Sequence, residues 1–163
     1  MIRKVEMERF TVISAKPFHD VVAAIKTSIG NPNMAEFGQA VHAAESAADL
    51  EAVVRRVLGR TGLMLFVEFD HGAVVRKGTE RHNARIIRLV IGNPLIMKEM
   101  ATHVPDAGAY APVTVLVDER ADGVHVSYDR MASLLAAYGN NDALSIARDL
   151  DAKVEDLLQQ AAG

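Results

Sequence analysis

Two carboxylates and an imidazole stand together in Glu68-Phe-Asp-His71. Read as the end of a strand over 63–70, this stretch puts Glu68 and Asp70 on one face, with Cα atoms roughly 6.5–7 Å apart. His71 then falls on the opposite face, unless Gly72 introduces a bulge. Oxygen and nitrogen ligands of this kind can hold a divalent cation. A carboxylate and an imidazole can equally act as a general acid and base. The plainer alternative is that strand ends carry polar residues because they meet solvent. No further ligand motif such as HExxH accompanies the three.

The next candidate is a basic stretch. Between residues 72 and 88, Arg76, Lys77, Arg81, Arg85 and Arg88 are set against Glu80 alone. Such a run is ordinarily a solvated loop. Its functional alternative is a clamp for a phosphate or carboxylate. Gly92-Asn93-Pro94 follows, where a helix N-terminus could present N–H groups to an anion. A phosphate loop needs several glycines and here there is one, so a tight strand-to-helix turn explains the motif. His19, His42, His82 and His125 are dispersed and read as exposed; His103 falls at a helix C-terminus, where an imidazolium is favoured. No Ser/His/Asp order stands out as a nucleophilic triad.

Composition narrows the chemistry. The 163 residues suit one domain, and half of them are hydrophobic, enough for a core without staples. There is no cysteine. That excludes disulfides, thiolate nucleophiles and Cys-ligated zinc or iron–sulfur centres. The net charge of −3 gives no whole-protein case for nucleic acid, which ranks last among partners. No stretch approaches the ~18–20 apolar residues of a membrane span, so the expected setting is cytoplasmic, away from membranes.

These candidates need elements to position them. Residues 5–14 read as a half-exposed or edge strand. Pro17 opens a helix whose stripe is Phe18, Val21, Val22, Ile25 and Ile29. Asn33 and Glu36 have the spacing of a capped second helix. Asp49 is the expected cap of a third, and residues 31–61 form an extra helical segment of a single domain spanning 1–163. Leu63, Leu65, Val67 and Phe69 share one face of the second strand. Residues 72–84 read as irregular. The Ile86–Ile91 run is a buried strand, ended by Gly92 and followed by a helix with Asn93 as cap and Pro94 as first residue. Asp122-Gly123 marks a hairpin over 113–129. Asp129 is expected to cap the helix of Met131, Leu134 and Leu135, and Asn140 or Asn141 to cap a final helix with Leu144, Leu150, Val154, Leu157 and Leu158 inward.

Four motifs occur in order: Glu68-Phe-Asp70, Gly92-Asn-Pro-Leu-Ile, Tyr110-Ala-Pro112 and Val126-Ser-Tyr-Asp129. With this order and spacing the chain resembles, from about residue 8 to 158, the bacterial family catalogued as domain of unknown function 302. The resemblance implies an α+β fold: a curved, mainly antiparallel sheet of about four to five strands with helices packed on one face, often as a homodimer. It places Asn93, Tyr110 and Asp129 near the ends of adjacent strands, lining one pocket with Glu68. Many members carry a cysteine before the Asn-Pro pair and another after the later proline. Those positions are Gly92 and Val113 here, so a thiol role cannot hold. The helical region between 31 and 61 looks longer than the family's, and the segment joining the second and central strands less helical.

The leading expectation is an uncharacterised small-ligand-binding α+β domain with no nameable reaction and no cofactor specified by the sequence. Its ligand candidates are Glu68, Asp70, His71, Asn93, Tyr110 and Asp129, and its ligand a small molecule or an anion near the basic stretch. The alternatives are a metal-assisted hydrolase using Glu68, Asp70 and His71, and a dimeric structural or interaction module.

Overall fold

Runs of β-branched and aromatic residues build five strands: β1 (Arg9–Ser14), β2 (Met64–Asp70), β3 (Ile86–Gly92), β4 (Val113–Arg120) and β5 (Gly123–Asp129). In the computed structural model, which describes residues 1–163, they form one antiparallel sheet in the order β1-β5-β4-β3-β2. The helices are α1 (Phe18–Ser28), α2 (Met34–Ala43), α3 (Ala47–Arg55), α4 (His71–Gly78), α5 (Pro94–His103), α6 (Met131–Ala136) and α7 (Asn141–Ala162). The expected α+β class and mainly antiparallel sheet of about four to five strands are observed, the strands numbering five.

The register decides which residues meet. One row across the sheet runs Phe10, Tyr128, Val115, Leu89, Glu68, and the next runs Val12, Val126, Val117, Ile87, Asp70. Except for the two acids on the edge strand β2, these rows are apolar, and α1, α5, α6 and α7 pack over them. Val21, Ile25, Val154, Leu157 and Leu158 join Leu89, Val115 and Val126 in one core, each with at most 2% of its surface exposed. Burying such a side chain contributes about 1.5–3 kcal/mol. A smaller cluster of Phe37, Val54 and Met64 fixes the α2–α3 hairpin at the start of β2. The alternate rows face away from the main helical layer. One of them runs Thr11, Ser127, Leu116, Arg88, Phe69.

Several local expectations are corrected. β1 starts at Arg9 rather than residue 5, because the backbone of Glu8 bonds Ser133 and Arg130 instead of a strand. A register shift between Leu65 and Val67 turns Leu65 toward the core and Val67 and Phe69 outward, so the three do not share a face. Ser46, not Asp49, caps α3, and its hydroxyl also donates to the Asp49 carboxylate. Residues 71–78 are helical rather than irregular. Gly72 lets this helix lie against β3: a Cβ there would stand 2.7 Å from the Ala84 carbonyl oxygen. In α7, Ala143 is fully buried and Leu144 only partly so.

α6 has no side-chain cap of its own. Asp129 ends β5 and does not cap it. Asp151, fully buried on α7, takes that place. It accepts the Met131 and Ala132 N–H groups at 2.7 and 3.0 Å and the Tyr128 hydroxyl at 2.6 Å.

Candidate functional site

Glu68, Asp70 and His71 are adjacent in sequence but are turned to separate tasks. Glu68 ends a core-facing row at the sheet edge, where Lys26 of α1 donates to its carboxylate at 2.5 Å. Asp70 caps α4, accepting the Ala73 N–H at 2.8 Å, and pairs with Arg76 at 3.4 Å. The His71 ring stacks parallel to Phe69, with ring centres 5.9 Å apart. No group of three or more His, Asp or Glu side chains is arranged to hold a metal ion. The reason is local. A strand that runs straight into a capped helix changes direction at Asp70, so its last acids and the following histidine diverge.

Asn93, Tyr110 and Asp129 do not line a pocket with Glu68. The Asn93 side chain accepts the Leu95 N–H at 2.9 Å and donates to the Gly62 carbonyl at 3.0 Å. It borders a cleft of about 70 Å³ with Phe66, Met97, Pro112 and Leu150. Gly92 and Val113 line the same cleft, and most of its lining is apolar. The Tyr110 hydroxyl lies 3.1 Å from that of Tyr138, whose ring carries Arg3 above it at 4.3 Å. The hydrogen bond to Tyr110 raises the Tyr138 pKa. Asp129 faces outward and binds Arg9 through two hydrogen bonds of 2.6 and 3.0 Å. That bond and the charge of Asp129 raise the Arg9 pKa, so the guanidinium stays charged.

A different set of residues does converge. On the outer side of the sheet Arg9, Arg88, Thr114, Leu116, Ser127 and Asp129 line a hollow of about 220 Å³. The strands build it by register: Leu116 stands between Ser127 and Arg88 in one row. Arg88 donates to the Thr114 hydroxyl at 3.2 Å and lies 5.7 Å from the centre of the Phe69 ring. It forms no ion pair, whereas Arg76 and Arg85, from the same basic stretch, are bound to Asp70 and Glu119. The Ser127 hydroxyl lies 3.1 Å from that of Thr11. The site therefore offers one guanidinium with no carboxylate partner, hydroxyls beside it and a single apolar side chain, Leu116. Such a set has the chemistry to bind and orient an anion.

The basic stretch pointed to Arg88 and Asp129 was a candidate for another reason; Arg9, Thr114, Leu116 and Ser127 were missed. Alternation in 113–118 already separates Thr114 and Leu116 from the inward valines. Placing them beside Arg88 and Ser127 needs the strand order, which no local pattern carries.

The comparisons with known proteins agree with the architecture. A family model described as "Domain of unknown function DUF302" matches residues 39–161. The chain is also similar to the crystal structure of an uncharacterized conserved protein DUF302 from Bacillus stearothermophilus. The TM-score is 0.62, the identity 10%, and the match covers 94% of each chain, a likeness of fold alone. No curated protein matches.

Proposed function

This chain belongs to the family of domain of unknown function DUF302, and on that premise we propose that it is a small-ligand-binding protein that seats an anion beside Arg88. No reaction is established for the family. One observation carries the reading: an exposed guanidinium without a carboxylate partner, set among hydroxyls in a hollow of the sheet. An anion there would exchange weakly held water for charge-assisted hydrogen bonds. The candidate acids Glu68 and Asp70 support this reading only indirectly, by holding α1 and α4 in place.

Thermal unfolding with phosphate, sulfate and short carboxylates tests the proposal. At ten times its dissociation constant a bound anion should raise Tm by about 3–5 °C. Arg88→Gln should abolish the rise, and Glu68→Ala and Asn93→Ala should keep it. An equal rise in Arg88→Gln would place any bound anion elsewhere.

A second reading is a homodimer that uses this same face. Ile13, Val67 and Phe69 are 55%, 39% and 43% exposed on the outward rows. Ile13 stands on one edge strand and Val67 and Phe69 on the other, so a second copy would have to span the uncovered face from β1 to β2. A second copy seated there would close the hollow, so the two readings exclude each other at Arg88.

A further inference from the structure

Resting on the anion-binding reading, we infer that the ligand is a small monocarboxylate with an apolar tail, its acid on Arg88 and Thr114 and its tail over Leu116. Charge is the first argument. Two arginines line the hollow, but Asp129 binds Arg9 through both of its oxygens. Their charges cancel, which leaves the single positive charge of Arg88. A phosphate monoester brings a charge of about −1.5 to −2 at neutral pH and is ordinarily met by more than one cation. A carboxylate brings one.

Geometry is the second argument. The planar fork of a guanidinium matches the two oxygens of a carboxylate. Thr114, whose hydroxyl now accepts from Arg88 at 3.2 Å, keeps its own proton to donate to the same ligand. The Ser127 hydroxyl is already engaged with Thr11 and adds less.

Size and polarity are the third. A space of about 220 Å³ has room for about seven waters, or for a ring with its carboxylate. Leu116 lies directly between Ser127 and Arg88 in the row, and Phe69 lies beyond Arg88. A fully hydrated ion gains nothing from that leucine, whereas a hydrocarbon tail does.

The test is titration of the full-length, isotope-labelled protein, followed by amide NMR shifts, with benzoate, acetate and inorganic phosphate in turn. Benzoate should move the amides of Arg88, Thr114, Leu116 and Ser127 with a dissociation constant of about 1 mM. Acetate and phosphate should bind roughly tenfold more weakly, since one lacks the tail and the other carries surplus charge. Arg88→Gln should weaken benzoate at least about tenfold. Leu116→Ser should weaken benzoate and leave acetate unchanged, a pattern that general destabilisation would not produce. Phosphate binding at these amides as tightly as benzoate would overturn the monocarboxylate and leave the anion site standing. No shift at these amides with any of the three would overturn both. Benzoate binding that survives Arg88→Gln would overturn the assignment of its acid to this arginine.

Discussion

Asp122 and His125 show how much a single residue's role depends on partners. The His125 ring Nε2 lies 2.9 Å from an Asp122 carboxylate oxygen at the tip of the β4–β5 hairpin. That hydrogen bond lowers the Asp122 pKa. A lowered carboxylate pKa means the contribution to stability is present above the unfolded value and lost as pH falls through the folded one. Because Asp122 is exposed, the effect on global stability is small, and the residue itself is the place to measure it. A side-chain NMR titration should find its midpoint below the ordinary aspartate value, and His125→Ala should bring it back. A midpoint indifferent to His125 would remove the bond from the account. The same histidine illustrates the limit of sequence reading at this scale. It was expected to be exposed and is 7% exposed. Asp151 went unnoticed among the acids of the last helix, although it is fully buried. Alternation and helical period tell which way a residue points, but whether a polar group is paired depends on an atom far along the chain.

Among the elements, α6 depends most on another part of the chain. Its six residues have no side-chain cap of their own, and its first N–H groups bond to Asp151 of α7. Burial, then the charge of Asp151, raises the Tyr128 pKa, so the hydroxyl remains a donor to that carboxylate. Asp151→Ala removes the acceptor for two N–H groups and a hydroxyl at once. It should cost about 3 kcal/mol, lowering Tm by about 6–12 °C; urea or thermal unfolding would measure it. A loss below about 1 kcal/mol would show that water replaces the carboxylate without penalty. Three helices were legible from an asparagine at their start. Asn33, Asn93 and Asn140 each cap the helix that begins directly after them. α4 was not legible, because Gly72 reads as a breaker when its role is close approach to β3. The bulge in β2 was hidden for a similar reason: register belongs to two strands, and only one can be read at a time.

For the molecule as a whole, the strand count and the hairpin were readable, while the order β1-β5-β4-β3-β2 was not. That order decides which side chains share the outward face, and with it the choice between ligand and second copy. Light scattering on the purified protein should report the mass of two chains if a second copy covers this face, and Phe69→Ser should then split the dimer. A monomer, or a dimer indifferent to Phe69→Ser, leaves the hollow open to the anion. The order also has a consequence during synthesis. Of the five strands of this sheet β1 is made first and its partner β5 last: Arg9 meets Asp129, 120 residues later. At roughly 5–20 residues per second, the ribosome takes about 6–24 s to deliver that partner. Through that interval β1, carrying Phe10, Val12 and Ile13, lacks the partner it has in the folded sheet, and an unpaired strand of this composition is open to pairing with another chain.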